Sequence, residues 1–359
     1  MPYPYKCILV GTGGMGGSWC RSALPSNMTD GLVEPVAAVD IVPEHLDNAI
    51  DGLGLSRDRC YTDARKAFAE NEADFAIVVV PPAAHESIVD VALEHDCHIL
   101  SEKPIADSME ASVRIARKVA AAERKMGVTM SHRFRQDITT LRTIVHEQTY
   151  GRLDYLVCRF TCANRNRGEW GRFRYDIPDA LLVEGSVHHL DLLCDIACGG
   201  DGSLCDTIYG RTWNTPWSDF NGDAQALVTM TMQNGRQVMY EGAKTNAVGI
   251  NCWSQEYIRA ECEHATLIMN HGGIEALPYG RGNAQRGEGE PVALIDQPKW
   301  SNTWLCEKFL HWLDGGPAME TNVQDNLQSV ALIFAAAESS RTGQPVDVQA
   351  FIDRFRTQS

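Results

Sequence analysis

The sequence predicts an α/β protein in two parts: an N-terminal doubly wound parallel sheet, then an α+β domain built on an open, mostly antiparallel sheet. Three observations carry this reading. Strand-like and helix-like runs alternate over roughly the first 130 residues. A glycine-rich turn at Gly11, Gly13 and Gly16 breaks the first strand from the first helix. Beyond residue 150, long strand-like runs follow one another without crossover helices, and Asn234-Gly235 folds one of them into a hairpin.

The first strand is expected over 6–10, where Cys7-Ile8-Leu9-Val10 runs into Gly11-Thr12-Gly13-Gly14-Met15-Gly16. Gly11, Gly13 and Gly16 fit G-x-G-x-x-G. That spacing turns a strand tightly, brings a pyrophosphate against bare backbone and packs a helix close behind. The helix, expected over 14–24, aims its N-terminal N–H groups and positive dipole end at the phosphates. A second strand, 35–39, ends at Asp40, 24 residues beyond Gly16. A carboxylate there accepts hydrogen bonds from both hydroxyls of an adenosine ribose. Strand, glycines, helix and acid in this order point to a bound dinucleotide. Asp40 would repel a 2′-phosphate, and Ile41, Val42, Pro43 and Glu44 supply no cation, so NAD is favoured over NADP. Strands at 75–80, 97–100 and 126–130 alternate with helices at 44–50, 63–70, 84–95 and 108–123. In the last of these, Val113, Ala116, Val119 and Ala120 recur at helical spacing. Ligands bind at the carboxyl ends of such strands, where the loops 11–16, 80–85, 101–104 and 131–135 should gather. Pro81, Pro82 and His85 are then expected to border the nicotinamide side.

After Arg133 the texture changes. Leu153 to Phe160 reads as a strand, Ala226 to Tyr240 as a hairpin and Glu256 to Met269 as strand-rich. His271 to Pro291 holds six glycines with little periodicity and reads as loop. Helix returns at Trp304 to Leu313 and Val323 to Ser339. One face of the open sheet needs cover, from helices or from another subunit, so a homo-dimer or homo-tetramer is expected.

At 359 residues, each part is large enough to bury its own core. Hydrophobic content of 44% and charged content of 22% are those of an ordinary globular chain. The longest apolar run, Phe75 to Ala84, is too short for a bilayer. Met1 to Lys6 leads straight into the first strand, leaving no room for a signal peptide, so a cytoplasmic location is expected. Twelve scattered cysteines read as reduced, buried thiols. Cys194-x3-Cys198 with Cys205 lacks the second close pair of a structural zinc site, and no metal is expected. A net charge of −15 argues against nucleic acid as a partner but not against one small anion in a basic pocket.

Two constellations could carry chemistry. Glu102-Lys103-Pro104 follows the strand 97–100, which puts Lys103 at the cleft near the nicotinamide. A lysine desolvated beside a cationic ring has its pKa lowered toward use as an acid or base. The alternative is a surface lysine on a turn. In Glu184-Gly185-Ser186-Val187-His188-His189-Leu190-Asp191, a helix would set Glu184, His188 and Asp191 on one face. A carboxylate one turn away holds an imidazole's tautomer and raises its basicity, which suits removal of a hydroxyl proton. A solvated polar stripe, extended by Asp195, and a divalent metal site are the other readings.

These motifs, with Val80-Pro81-Pro82-Ala83-Ala84-His85, occur in the order found in one known group. The chain resembles the Gfo/Idh/MocA family, named for glucose–fructose oxidoreductase, inositol dehydrogenase and a rhizopine-catabolism protein, over essentially its whole length. The resemblance implies an N-terminal Rossmann domain over 1–131 and a substrate-binding and oligomerisation domain over 132–321, with the helices of 322–359 returning to the first. It implies that Lys103 and His188 act in proton transfer and substrate binding. Family members often carry aspartate where this chain has Glu184, which keeps the charge but shifts the carboxylate.

Local charge adds a third feature. Arg159, Arg165, Arg167, Arg172 and Arg174 stand against one acid, Glu169, with Trp170 among them, and Arg133 and Arg135 lie near the cleft. Arginine forks suit carboxylate, phosphate or sulfonate oxygens, and a tryptophan face suits a sugar ring. The alternative is that these arginines pair with Asp176, Asp179 and neighbours, or lie in a subunit interface.

The leading expectation is an NAD-dependent oxidoreductase acting on a sugar, polyol or glycoside, neutral or anionic. Lys103 and His188 are the proton carriers, Glu184 orients His188 or the substrate, and Arg133, Arg135, Arg165, Arg167, Trp170, Arg172 and His189 contact the substrate. Some members of the family the chain resembles are NAD-dependent glycoside hydrolases, which oxidise, eliminate, hydrate and re-reduce. A sulfonated glycoside such as a sulfoquinovoside is the specific version of that alternative. A third reading is an NAD-binding sensor without turnover, against which the presence of both Lys103 and His188 argues.

Overall fold

The computed structural model describes residues 3–280 and 289–358, and it divides into two compact units. The first comprises 1–134 and 298–327, the second 135–297 and 328–358. The first boundary therefore falls after Phe134 rather than after residue 131. The C-terminal expectation is corrected more deeply. Residues 298–327 complete the first unit, whereas 328–358, expected to return there, belong to the second.

In the first unit, β1 (Tyr5–Val10), β2 (Val33–Val39), β3 (Cys60–Tyr61), β4 (Phe75–Val78), β5 (His98–Ser101) and β6 (Met126–Val128) form a six-stranded sheet in the order β3-β2-β1-β4-β5-β6. All its pairings are parallel. Phe75-Ala76-Ile77-Val78 is buried at every position, because helices cover both faces of such a sheet and alternation is lost. Two of the helices start at a side-chain cap: Asp63 accepts from the Arg65 N–H and Ser108 from the Ala111 N–H. The two-residue β3 was too short to signal itself by pattern. The core joins Cys7, Leu9, Phe75, Ile77, Leu100 and Phe134 to Leu305, Phe309, Leu310 and Leu313 of the helix Ser301–Leu313, and to Met319. Thr321 fastens the same segment to β6: its carbonyl accepts from the Val128 N–H at 2.9 Å and its hydroxyl donates to the Val128 carbonyl at 2.7 Å.

The second unit is a nine-stranded sheet of β7 (Leu153–Thr161), β8 (Cys205–Trp213), β9 (Gln225–Met232), β10 (Gln237–Ala243), β11 (Tyr257–Cys262), β12 (Ala265–Asn270), β13 (Gly273–Pro278), β14 (Glu290–Pro291) and β15 (Val346–Asp347). Its order is β14-β13-β12-β11-β7-β10-β9-β8-β15, with β7 and β10 parallel and the other pairs antiparallel. The Asn234-Gly235 turn joins β9 to β10, with Gly235 at φ +86°. Val238 and Tyr240 of β10 are buried under the helix Val187–Cys198, whereas Leu227 and Met239 stand exposed on the opposite face. The stretch read as loop from 271 contains β13 and β14. Ile274 and Ala276 alternate inward there, a signal too short to outweigh the glycines, and residues 281–288 lie outside the described residues. The helix Gln136–His146 and β8 were not expected from sequence.

The reading of all cysteines as reduced is also corrected. Cys162 and Cys252 form a disulfide, and the other ten cysteines are free. Among the described residues no helix is long and apolar enough to cross a membrane.

Candidate active site

The first unit builds a cradle at the carboxyl edge of its sheet. Gly11 sits at φ +91°, and a Cβ there would overlap the Val79 carbonyl. Gly14 sits at φ +46° with nothing within 4 Å of where a Cβ would be, so bare backbone faces open space at the helix start. A Cβ on Gly16 would overlap the Gly11 carbonyl, so the helical run 14–29 lies directly against the turn. Asp40 closes the other side. Its Oδ2 accepts from the N–H groups of Thr12 at 2.8 Å and Gly13 at 3.0 Å, and its Oδ1 accepts from Val42 N–H at 2.9 Å and lies 3.3 Å from His45 Nδ1. Burial alone would raise the Asp40 pKa, but the donors from Val42, Thr12 and Gly13, with His45 beside them, outweigh it and hold the carboxyl below its ordinary value. The group facing the turn is an anion. Ile41, next to it, is exposed, as is Met15.

Two loops complete that edge. Glu102 is buried, accepts from the Trp19 indole N–H at 3.2 Å and takes its own N–H to Val78 O. Lys103 follows it, partly buried at the end of β5, with a cis bond to Pro104. Pro81 is exposed at the end of β4 and Pro82 is buried. His85, expected against the cofactor, is instead fully buried. Its ring nitrogens lie 2.8 Å from Val80 O and 3.1 Å from Ile105 O, and burial lowers its pKa against the pull of those carbonyls. It braces one loop to the other.

The second unit gathers its own cluster at the head of the helix Val187–Cys198. A π-helical turn, Leu182–Ser186, precedes that helix and carries Glu184. Glu184, His188, His189 and Asp191 are all buried, which removes the solvated-stripe reading. Glu184 Oε2 accepts from Arg174 Nε at 2.8 Å, and Asp191 turns away to accept from the Ser329 hydroxyl. His189 stacks on Phe160 at 4.2 Å and approaches Glu256 Oε1 through Nε2 at 3.3 Å. His188 meets the Trp253 ring edge-on at 6.2 Å.

The comparisons agree with this architecture. The profile of the Gfo/Idh/MocA group, described as an oxidoreductase family with an NAD-binding Rossmann fold, matches residues 5–134, ending where the first compact unit breaks. An uncharacterized protein, y4oX, of Sinorhizobium fredii is 49% identical over 356 residues, 98% of each chain. The chain belongs to the Gfo/Idh/MocA oxidoreductase family. The D-apiose dehydrogenase of Rhizobium rhizogenes is 24% identical, covering 88% of this chain and 91% of its own. Among solved structures, an inositol dehydrogenase homolog from Azotobacter vinelandii, complexed with NADH and myo-inositol, superposes with a TM-score of 0.80 at 19% identity, over 97% of this chain and 98% of that one.

As a Gfo/Idh/MocA protein the chain is an NAD-dependent oxidoreductase, and its cradle fits that cofactor. Open backbone at Gly14 and the helix N-terminus suit the pyrophosphate, and the Asp40 anion suits ribose hydroxyls and disfavours a 2′-phosphate.

The arginines are mostly committed elsewhere. Arg135 is buried between Asp137 and Glu256, its Nη1 donating to Glu256 Oε2 at 2.6 Å, which corrects its assignment to substrate. Arg167 grips Asp176 through bonds of 2.8 and 2.6 Å. Arg165 donates to the carbonyls of Thr245 and Asn246 and lies over Trp217. Arg159 faces Glu241 on the exposed side of the sheet. Arg133 is partly buried in the turn Ser131–Phe134, and Arg172 is exposed and forms no ion pair among the described residues. Trp170 packs, partly buried, on Tyr175 and Phe220. Cys194 accepts from Gln328, whereas Cys198 turns to His146 and Asp195, whose carboxylate Arg142 holds at 3.0 Å.

Sequence reasoning missed Lys244, Trp253 and Glu256. Lys244 carried a usable signal, because it extends the inward row Val238, Tyr240, Gly242 of β10 at period two. The other two lie between strands, where no periodicity exists to read.

Proposed function

We propose that this protein is an NAD-dependent dehydrogenase that oxidises a hydroxyl of a neutral sugar, polyol or glycoside. The observation that carries the reading is the placement of the glycine turn, the Asp40 anion and Lys103 along one sheet edge of the first unit. The resemblance to D-apiose dehydrogenase and to a protein crystallised with myo-inositol supports the substrate class. Bound NAD supplies the hydride acceptor, at C4 of its nicotinamide.

The chain's own task is to orient the carbinol and take its hydroxyl proton. Each unit presents one candidate: Lys103 at the end of β5, and His188 on the helix Val187–Cys198. Arg174 fixes the Glu184 carboxylate at the head of that helix, which suits Glu184 to positioning more than to proton uptake. Neutral substrates are favoured because Arg135 and Arg167 are already neutralised by carboxylates. The glycosidase alternative lacks comparable support: the relatives named above are a D-apiose dehydrogenase and an inositol dehydrogenase homolog, and Glu184 is engaged by Arg174.

The test is NADH formation, followed by absorbance, across a panel of polyols, aldoses and aryl glycosides. One NADH per substrate consumed supports the dehydrogenase. Aglycone release with no net NADH would replace it with the oxidative glycosidase.

We also propose that the chain is a homo-oligomer, with the outer face of the nine-stranded sheet covered by a second copy. Leu227, Met239 and Tyr209 stand exposed on that sheet.

A further inference from the structure

The inner face of the nine-stranded sheet holds a cation that none of the sequence motifs announces. Lys244, at the end of β10's inward row, is fully buried. Its Nζ lies 3.6 Å from the ring centroid of Trp170, 4.4 Å from that of Trp253 and 4.8 Å from that of Phe160, with Cys162 Sγ at 3.8 Å. An ammonium leaves water at great expense unless other dipoles replace it, and aromatic faces are such a replacement. The same rings lead to the imidazoles. Phe160 stacks on His189 at 4.2 Å, while Trp253 lies 5.9 Å from His189 and edge-on to His188 at 6.2 Å. Gly185, in the π-helical turn, comes so close that a Cβ there would stand 3.6 Å from Lys244 Cε. The Lys244 amine, boxed by aromatic faces, therefore sits one ring away from the buried histidine pair.

We propose that Lys244 is a positioning residue of the candidate site: its boxed ammonium fixes the Trp170 and Trp253 indoles and sets the electrostatic environment of His189. The effect on substrate rests on the dehydrogenase reading above; the effect on the imidazole does not. Within its own unit, Glu256 lies at the Nε2 of His189, Arg135 stands behind Glu256, the Phe160, Tyr240 and Trp253 rings stack on the imidazole at 4.2, 5.7 and 5.9 Å, and Lys244 lies beyond Phe160. Burial lowers the His189 pKa most, Glu256 opposes it, and Arg135 and Lys244 both add to the lowering. Loss of the lysine charge thus moves His189 toward protonation at higher pH. A lysine that only fills space predicts no such movement, because methionine is close to it in length and volume.

The experiment compares the full-length wild type with Lys244→Met, both saturated with NAD, by NMR titration of 15N-labelled histidine side chains. The expected result is a His189 titration displaced upward by about half a pH unit or more. With myo-inositol as the probe substrate, KM rises about tenfold and kcat changes less, while NAD affinity is unchanged. An unmoved His189 titration overturns the proposal whatever happens to the melting temperature. A wild type that binds NAD but oxidises no member of the panel of polyols, aldoses and aryl glycosides defeats the dehydrogenase reading instead, and the titration still decides the role of Lys244. Should Lys244→Met not fold, Lys244→Arg carries the test. It retains the charge, so His189 should titrate as in the wild type, and an upward displacement would overturn the proposal.

Discussion

Asp40 receives N–H groups from Thr12, Gly13 and Val42, an arrangement that fastens the glycine turn to the end of β2. Its folded-state pKa is depressed, so its contribution is complete above the ordinary carboxyl value of about 3.9 and fades as pH falls through the lower folded value. Asp40→Asn should therefore weaken NAD about tenfold or more at pH 7, by calorimetry, whereas wild-type affinity should stay flat down to about pH 5. Lys103 is tested by Lys103→Ala. Turnover should fall by about 10²–10⁴-fold with NAD affinity unchanged, and unaltered turnover would remove Lys103 from the chemistry. The positions of both residues were legible in the sequence, because each stands at a fixed offset from a strand end. His85 was misjudged for a physical reason. A loop histidine next to two prolines gives no sign in sequence that two carbonyls, at Val80 and Ile105, will enclose it.

At the level of elements, the short parallel strands of the first unit were legible because apolar runs and glycine turns repeat there. The turn Leu182–Ser186 was not. A π-helical turn admits one extra residue, and no spacing rule separates it from regular helix in advance. The disulfide was equally hidden, since Cys162 and Cys252 are 90 residues apart and it takes the pairing of β7 with β11 and the bridge between Thr161 and Asn251 to bring them together. It fastens the segment bearing Trp253 and Glu256 to the end of β7. Closure of a loop this long is worth about 4–5 kcal/mol in the chain-entropy picture. The denatured, unreduced chain should titrate ten thiols of the twelve cysteines, and Cys252→Ser should lower the melting temperature. Twelve reactive thiols without reductant would show that the bridge does not form.

Across the whole molecule, the sequence conveyed that an open sheet needs a cover, but it could not show which side the helices take. The helix Val187–Cys198 lies over the Tyr240 side, leaving Leu227 and Met239 outward. If a second copy lies there, Leu227→Asp with Met239→Asp should give a single-chain mass by light scattering while NAD still binds. An unchanged mass would move the interface elsewhere.

The interleaving of the units has a consequence for how the chain is made. Phe75, Ile77 and Phe134 share one core with Leu305, Phe309 and Met319, which leave the ribosome long after β6. For most of its synthesis the nascent cofactor unit must keep an oily seam uncovered while the intervening segment is still being translated. A fragment stopped at Phe134 is expected to aggregate, and co-expression of the peptide 298–327 should rescue it.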